Sequence, residues 1–314
     1  MMSRLIKIIK NITKKPIFTQ DVSISGKVAL ITGGNSGIGK ETAIDLAKRG
    51  GKIYIACRDV IRSKDDLDEI KERSKSSNVK LIQLDLASIR SIRQCSKEFH
   101  EKERRLNILI NNAGIMACPK SYTEDGFEMQ MGTNHLGHFL LTNLLLDLLK
   151  ASAPSRIVVV SSAAHKFSDI NRDDFMSDKS YNKIKVYGQS KLANNLFALE
   201  LARRLEGTNV TANSCHPGLV HSKLGRHVNA WYKPIYRLIL KPFYKTAYEG
   251  AQTQIRLAVD PELETVTGKY FVDCEEAVPS NAAQSYETAA WLWAKSTEMI
   301  YGKFKDFDKL DTKS

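Results

Sequence analysis

The segment Thr32-Gly33-Gly34-Asn35-Ser36-Gly37-Ile38-Gly39 decides the fold, because it stands between a β-rich run, Val28 to Thr32, and a helical run, Lys40 to Arg49. A turn built from glycines keeps Cβ atoms out of the way, so backbone N–H groups and the positive end of a helix dipole both face a pyrophosphate. Glycines alone would also suit an ordinary turn. Their position between a strand and a helix favours a dinucleotide-binding site.

The chain beyond this turn alternates short β-rich runs with longer helical patterns. The predicted strands are Val28 to Thr32, Lys52 to Ala56, Val79 to Gln83, Ile108 to Ile110, Arg156 to Val160 and Val210 to Ser214. Val, Ile and Leu run nearly continuously through several of them, as in a parallel sheet buried on both faces. Right-handed crossovers then give a doubly wound, Rossmann-type α/β fold. We expect one domain over residues 21–301, followed by a polar tail, 302–314.

Composition and charge exclude several classes of protein. With 42% hydrophobic and 26% charged residues among 314, the chain has globular proportions. The formal net charge is +12, but the basic residues form no zinc-finger spacing or arginine-rich block, so nucleic acid is not an expected partner. The five cysteines are scattered and odd in number, which argues for a reducing compartment and against disulfides or structural zinc.

Segment 1–20 begins with a short basic amphipathic stretch. Leu5, Ile8 and Ile12 recur at helical spacing, and the first fifteen residues contain no acidic side chain. Apolar area combined with basic charge suits peripheral attachment to an anionic membrane surface, and a solvated tail is the alternative. We therefore expect a membrane-associated protein at the endoplasmic reticulum or the mitochondrion, facing a reducing compartment, with a cytoplasmic location left open.

The end of the second predicted strand indicates which dinucleotide binds. Ala56-Cys57-Arg58 stands where an NAD site usually places an acid for the adenosine ribose. Arg58 is suited to bidentate pairing with a ribose 2′-phosphate, which predicts NADP(H), with Lys40 as a weaker helper. In the alternative, Asp59 binds the ribose and Arg58 is a surface cation.

Tyr187 and Lys191 stand four residues apart in a helical pattern and therefore share one face. An ammonium group beside a phenol favours the phenolate, which lowers the Tyr pKa and suits proton exchange with a carbonyl or alcohol oxygen. Such a pair is common by chance, and a core Tyr beside a snorkelling Lys is the structural alternative. The fifth strand, however, ends in Ser161-Ser162, so a hydroxyl emerges where open α/β sheets bind ligands.

Several further motifs give the chain a resemblance to a known family. Asn111-Asn112-Ala113-Gly114, Asn134 and Pro217-Gly218 join the glycine-rich turn and the Ser-Tyr-Lys set in a pattern that resembles the short-chain dehydrogenase/reductase family over residues 26–271. Four segments resemble the retinol dehydrogenase branch, especially its vertebrate-type members eleven to fourteen: Glu124 to Gln130, Asn134 to Phe139, Ser161 to His165 and Ala56 to Asp59. Gly188, a poor helix former directly after Tyr187, departs from that branch.

The resemblance implies a role for each matching residue. Tyr187 would be the acid/base, Lys191 would bind the nicotinamide ribose and tune Tyr187, Ser162 would polarise the substrate oxygen, and Asn134 would hold a water of a proton relay. The residues implied to line the NADP(H) site are Gly33, Asn35, Ser36, Gly37, Ile38, Gly39, Arg58, Asp85, Leu86, Asn112, Ala113, Gly114, Tyr187, Lys191, Pro217, Gly218 and Ser222. Hydride chemistry of this kind needs no metal, so we expect none.

The aromatic, basic segment at about 223–248 follows Pro217-Gly218, where members of this family insert a helical substrate lid. Its apolar residues would enclose a retinoid or another lipid carbonyl, or would form an oligomer interface. The family often dimerises through two long helices, which here would hold Leu140 to Leu149 and Lys191 to Leu205.

The expected activity is NADP(H)-dependent interconversion of retinol and retinaldehyde, mainly as reduction. Reduction of other lipid aldehydes or of steroid ketones is the alternative. A scaffold that binds NADP without turnover is a third interpretation, but a pure binder has no need of an acid/base aligned as in Asn134, Ser162, Tyr187 and Lys191.

Overall fold

The computed structural model describes residues 15–220 and 244–311. Its strands are β1 (Val28–Thr32), β2 (Lys52–Cys57), β3 (Val79–Gln83), β4 (Ile108–Asn111), β5 (Ser155–Val160), β6 (Val210–His216), β7 (Leu219–Val220), β8 (Tyr244–Lys245), β9 (Tyr270–Val272) and β10 (Glu275–Ala277). All six predicted strands are present, with ends within two residues of the predicted ones.

Eight strands form one sheet in the order β10-β9-β6-β5-β4-β1-β2-β3. The pairings are parallel except at one edge, where β10 runs antiparallel to β9. β7 and β8 pair separately. The strand order reverses next to β1, which pairs with β2 on one side and β4 on the other. The doubly wound prediction is confirmed. Ligands of open α/β sheets bind at such a reversal, so this reversal is the expected place of the site.

The helices are α1 (Gly37–Lys48), α2 (Lys64–Ser74), α3 (Ile89–Lys102), α4 (Gly137–Leu144), α5 (Leu146–Ala151), α6 (Lys183–Arg204), α7 (Ala247–Val259) and α8 (Tyr286–Asp311). A helical turn, Met129–Met131, and a π-helical turn, Gly132–Leu136, precede α4. Because α8 continues to Asp311, most of the predicted polar tail 302–314 extends the last helix of the domain.

Two apolar layers hold the helices on the sheet, and the alternation of strand side chains separates them. Leu30 and Tyr54 face one layer, where Phe139 of α4 is buried. Ile31 and Ile55 face the opposite layer. Strands whose side chains are buried on both faces need the continuous apolar runs that the sequence contains.

The helices expected to form a dimer are covered by the chain itself. Helix α8 packs along α6, and Trp293 of α8 stacks on Phe197 at 5.9 Å and meets Phe139 edge-on at 4.9 Å. Between Lys191 and Arg204, the last residue of α6, only Arg203 and Arg204 are exposed. Helix α6 therefore offers no free apolar face, and the homodimer stays a prediction that needs another surface.

Three predicted features fall wholly or partly outside the described residues: segment 1–14, Ser222 and lid residues 223–243. The last lid residues, Tyr244 to Tyr248, form β8 and the start of α7. The described end of the N-terminal segment docks on α7, where the Phe18 N–H donates to Gln252 Oε1 at 3.1 Å. In the part of the chain that the structure describes, no helix has the length and apolarity to cross a bilayer.

Candidate active site

The glycine-rich turn is shaped as a cradle between β1 and α1. Gly33 and Gly37 have φ angles of 65° and 55°, in the left-handed region that glycine adopts without strain. A Cβ on Gly39 would lie 2.4 Å from the Gly33 carbonyl oxygen, so the backbone folds closely on itself here. Ser36 is the N-cap of α1, but its side chain makes no capping bond. The start of α1 therefore suits a phosphate group.

Thr32 joins the turn to the neighbouring strand end. Its Oγ1 accepts hydrogen bonds from the backbone N–H groups of Asn112 and Ala113, both at 2.9 Å. Asn112 Nδ2 in turn donates to the Thr32 carbonyl oxygen at 2.7 Å, while Asn112 Oδ1 is buried without a hydrogen-bond partner. A buried acceptor without a partner, next to the glycine-rich turn, fits a site that receives a hydrogen-bond donor from a bound dinucleotide.

Arg58 directly follows β2, the strand that pairs with β1 beside the glycine-rich turn. Arg58 is exposed and makes no ion pair or hydrogen bond with the described residues. Asp59 is held by Arg62, and Lys40 lies 2.6 Å from Asp66 and 2.7 Å from Glu69. Lys40 is thus paired with two carboxylates, whereas Arg58 has no carboxylate partner in the part of the chain that the structure describes.

Tyr187 and Lys191 lie together on α6, as their spacing predicted. Tyr187 is 5% exposed and Lys191 3% exposed, and Lys191 Nζ lies 5.9 Å from the centre of the Tyr187 ring. Lys191 Nζ also donates to the Val160 carbonyl oxygen at 3.0 Å. The pair therefore sits against the end of β5, where Ser162 follows.

The pKa values of this pair differ from the expectation that Lys191 would lower the Tyr187 pKa. Burial raises the pKa of Tyr187 to about 12, opposed by a hydrogen bond with the Ser162 side chain. Burial lowers the pKa of Lys191 to about 8. Desolvation is the largest cause of both shifts, because each group is stripped of water at this position.

The two serines at the end of β5, Ser161 and Ser162, make different contacts. Ser161 Oγ is buried and donates to the Lys191 carbonyl oxygen at 2.8 Å, which ties α6 to the strand. Ser162 caps the 3₁₀ turn Ala163–Phe167, and its Oγ accepts from the Ala164 N–H at 3.2 Å. Ser162 also forms a hydrogen bond with the Tyr187 side chain, whereas the Ser161 hydroxyl is directed to the backbone of α6.

Asn134 lies in the π-helical turn and is fully buried. Its Nδ2 donates to the Ile115 carbonyl and to Ser190 Oγ, each at 2.9 Å, and its Oδ1 accepts from the Ile115 N–H at 2.8 Å. A Cβ on Gly114 would lie 3.3 Å from Asn134 Oδ1 and 3.4 Å from Lys191 Nζ. Because Gly114 has no Cβ, the chain that follows β4 can approach Asn134 and Lys191 closely.

The remaining predicted cofactor residues lie at other strand ends. Asp85 follows β3, and its Oδ1 accepts from the Ala87 N–H at 2.9 Å, a local turn bond. Leu86 is buried against α4, where a Cβ on Gly137 would lie 2.4 Å from the Leu86 carbonyl oxygen. Pro217 and Gly218 follow β6, with Gly218 at φ 88°.

The departure at Gly188 has a steric reason. A Cβ at this position would lie 2.0 Å from Ser168 Oγ and 3.0 Å from the Ala164 carbonyl oxygen. Glycine therefore lets α6 approach the turn that carries Ser162. A glycine inside an otherwise regular helical pattern was the available signal for this close contact.

Two histidines near the site have roles that their sequence context did not reveal. His138 Nδ1 lies 2.9 Å from the Asn134 carbonyl oxygen, and its Nε2 lies 2.8 Å from Thr32 Oγ1. His165 follows Ser162 by three positions and is completely buried. A lone histidine looks the same in a sequence whether it faces a substrate or a backbone carbonyl.

The fold and the site together define a class of nicotinamide-dependent oxidoreductases. A family model described as short chain dehydrogenase matches residues 27–233. The chain belongs to the short-chain dehydrogenase/reductase family. It is accordingly an oxidoreductase acting on CH–OH groups, with a nicotinamide cofactor and a small-molecule substrate.

The proteins similar to this chain in sequence include several retinol dehydrogenases. The chain is 51% identical to retinol dehydrogenase 14 of Homo sapiens over 290 residues, covering 88% of this chain and 86% of the relative. It is 50% identical to human retinol dehydrogenase 12, covering 89% and 88% of the two chains. It is 46% identical to retinol dehydrogenase 11 of Mus musculus, covering 93% and 92%.

Solved structures agree with the fold. An uncharacterized protein from Mycobacterium paratuberculosis superposes with a TM-score of 0.73 at 34% identity, covering 89% of this chain and 95% of that one. RhlG of Pseudomonas aeruginosa, solved as an active-site complex with NADP, superposes with a TM-score of 0.65 at 28% identity, covering 81% and 97%.

Proposed function

We propose that this enzyme interconverts retinol and retinaldehyde with NADP(H), and that it works mainly as a reductase. The observation that carries the proposal is the meeting of Ser162, Tyr187 and Lys191 at the end of β5, in a chain about half identical to retinol dehydrogenases. An aligned hydroxyl, phenol and ammonium group serve proton transfer, which binding alone does not require.

Each residue of the proposed catalytic set has a separate role in the reaction. The reduced nicotinamide, when bound, supplies hydride to the carbonyl carbon. Ser162 donates a hydrogen bond to the carbonyl oxygen, and Tyr187 delivers the proton to it. Lys191 holds the nicotinamide ribose and favours the phenolate that Tyr187 becomes. Asn134 holds the Ile115 backbone and would hold a relay water near Lys191.

The cofactor we propose is NADP(H) rather than NAD(H), and Arg58 supports the choice. Its guanidinium is exposed at the end of β2 and has no partner among the described residues, whereas Asp59 already pairs with Arg62. A planar guanidinium matches a phosphate in a bidentate way. The glycine cradle and the other cofactor residues would hold the pyrophosphate and the nicotinamide.

The remaining assignments concern location and the substrate entrance. We propose that segment 1–20 attaches the enzyme peripherally to the endoplasmic reticulum or a mitochondrial membrane, because its charges are all basic up to residue 15. Residues of the segment 223–248 would form a lid over a hydrophobic substrate. A lid rich in aromatic side chains suits a long apolar carbonyl compound.

The test of the activity is the loss of reduced cofactor with purified enzyme and all-trans-retinal, with a medium-chain aldehyde and a steroid ketone as alternative substrates. We expect NADPH-linked turnover of retinal to exceed that of the other two. Tyr187→Phe should abolish turnover and leave NADPH binding within about twofold, because only the proton donor is lost. Tyr286→Phe is the control, since Tyr286 is exposed. Full activity in Tyr187→Phe would refute the mechanism.

The test of the cofactor is the ratio of kcat/KM values for NADPH and NADH. Arg58→Ala should lower this ratio on the order of 10- to 100-fold, since a charge-assisted bidentate contact is lost. Arg62→Ala is the matched control, because its guanidinium lies nearby on Asp59. An unchanged ratio in Arg58→Ala would show that another residue selects the cofactor.

A further inference from the structure

His165 occupies an unusual position directly behind the serine of the proposed catalytic set. The residue lies in the 3₁₀ turn Ala163–Phe167, three positions after Ser162, and is completely buried. Its Nδ1 lies 2.6 Å from the Ser162 carbonyl oxygen, and its Nε2 lies 3.2 Å from the Ser280 backbone nitrogen. Both ring nitrogens are therefore occupied, and neither is left for a substrate.

The two partners fix the protonation of the ring. A carbonyl oxygen only accepts, so Nδ1 must carry the hydrogen that it donates to Ser162. A backbone N–H only donates, so Nε2 must be the acceptor for Ser280. The neutral imidazole with its proton on Nδ1 satisfies both contacts, and the imidazolium would lose the second.

The surroundings favour this neutral form. Burial lowers the pKa of His165 below its ordinary range, the hydrogen bond to Ser162 opposes the effect, and the charge of Lys166 adds to it. The His165 ring meets the Tyr270 ring edge-on, with 5.1 Å between the ring centres and 70° between the ring planes. The charge of a protonated His165 would act on His216, whose pKa burial lowers to about 4.

The hydrogen bonds to Ser162 determine where its hydroxyl points. The Ser162 carbonyl oxygen accepts twice from the same residue, from the His165 backbone N–H at 3.2 Å and from Nδ1. The Ser162 hydroxyl oxygen accepts from the Ala164 N–H, which leaves its remaining lone pair and its proton for Tyr187 and a substrate oxygen. The two bonds at its carbonyl hold the Ser162 peptide in place, and the bond from the Ala164 N–H restrains the rotation about Cα–Cβ that directs Oγ.

The other end of the ring holds a different part of the chain. Ser280 is the N-cap of the turn Asn281–Gln284, which leads into α8. Through His165, the proposed catalytic serine is thereby connected to the start of the C-terminal helix. No other hydrogen bond between the described residues of these two segments makes this connection.

We propose that His165 is a positioning residue for the reaction: its Nδ1–H holds the Ser162 carbonyl, its Nε2 holds the Ser280 N–H, and it acts on the substrate only through the Ser162 hydroxyl. This inference rests on the proposed role of Ser162. It assigns His165 neither contact with the substrate nor exchange of a proton.

The experiment compares three substitutions with a remote control. His165→Phe keeps a planar ring and loses both hydrogen bonds, His165→Asn keeps a donor near the place of Nδ1, and His165→Gln places its amide near Nε2. His100→Asn is the control, since His100 pairs with Asp147 on the surface. For each variant, kcat and KM with all-trans-retinal, the NADPH dissociation constant and the pH profile of retinol oxidation are measured.

We expect His165→Phe to lower kcat on the order of 10- to 100-fold, as small displacements of a positioned group do. The NADPH dissociation constant should stay within about twofold, since the cofactor cradle is not touched. His165→Asn should recover most of kcat, and His165→Gln less. The pH profile of His165→Phe should move to higher pH, because the Ser162 hydrogen bond is what opposes the raised pKa of Tyr187.

The outcomes separate the inference from the proposed function. If the wild-type enzyme turns over no carbonyl substrate, the proposed function fails and takes this inference with it. If the wild type is active and His165→Phe retains its kcat and its pH profile, the inference alone is overturned. It is also overturned if all three variants lose kcat and NADPH binding equally, since that result means general loss of structure.

Discussion

Lys191 links the chemistry of the site to the stability of the fold. Its ammonium group is 3% exposed, and its Nζ donates to the Val160 carbonyl oxygen, a neutral partner. Burial lowers its pKa from 10.5 to about 8. Because each pKa unit corresponds to about 1.4 kcal/mol, keeping this side chain charged inside the cofactor-free protein at pH 7 costs roughly 3 kcal/mol.

The substitution Lys191→Met removes the buried charge and keeps a side chain of similar length. The Val160 carbonyl retains a donor, because Asn194 Nδ2 lies 3.1 Å from the same oxygen. One lost hydrogen bond and imperfect packing offset about 1–2 kcal/mol of the gain. We therefore expect Lys191→Met to be inactive and to have a free energy of unfolding about 1–2 kcal/mol above wild type at pH 7.

The sign of the pH dependence follows from the lowered pKa. Below pH 8, Lys191 is charged in both the folded and the unfolded wild-type chain, so the full penalty applies. Between pH 8 and 10.5, the folded chain loses this proton first, and the free energy of unfolding of the wild type rises. The advantage of Lys191→Met should therefore shrink as the pH increases through this range.

The assay is urea unfolding of cofactor-free protein at several pH values between 7 and 10. Lys40→Met is the control with the opposite sign, because Lys40 pairs with Asp66 and Glu69, which raise its pKa above the usual value although burial opposes them. That variant should be less stable than wild type at pH 7. If Lys191→Met is the less stable protein at pH 7, or if its advantage does not change with pH, the reasoning about the buried charge is refuted.

Four further substitutions and one control test the packing of the site. Gly188→Ala should lower the free energy of unfolding by about 1–3 kcal/mol, since overpacking outweighs the helix preference of alanine; in urea unfolding, Gly302→Ala, which has open space in a helix, should not be destabilised. Gly39→Ala should raise the NADPH dissociation constant at least about tenfold, measured by cofactor fluorescence, because its Cβ would fill the cradle. Ser161→Ala should cost about 1 kcal/mol of stability with kcat within a few-fold of wild type, whereas Ser162→Ala should lose kcat at a similar cost in stability, since each variant loses one hydrogen bond to the backbone; equal kcat in the two variants would contradict the division between them.

The strands that the sequence predicted correctly share one property. Runs such as Val28 to Thr32 and Arg156 to Val160 are long enough for their apolar continuity to stand out, and both are buried in the sheet. The strands that were missed are β7 to β10, none longer than three residues. A pairing of two or three residues is decided by the neighbouring strand, so no periodicity within the segment itself indicates it.

The site divides in the same way between what local spacing determines and what burial determines. Four residues of helix place Tyr187 beside Lys191, and a strand end places Ser162 near them, which spacing alone indicates. The pKa values of the pair depend on how completely α6 and β5 exclude water, and the sequence contains no local sign of that. The spacing of the two residues therefore predicted a lowered pKa for Tyr187, whereas burial raises this pKa to about 12 in the cofactor-free protein.

The contacts at the end of β5 show why the motif alone does not make the site. The Val160 carbonyl accepts from Lys191, the Ser161 hydroxyl donates to the Lys191 carbonyl, and the Ser162 carbonyl accepts from His165. Lys191 and Ser162 are thus each held by a backbone group or by a neighbour outside the motif. A relative that keeps Ser, Tyr and Lys but loses the contacts around this strand end would match the pattern and still lack an aligned hydroxyl. Activity in this family should therefore follow the geometry at the end of β5 more closely than the presence of the three residues.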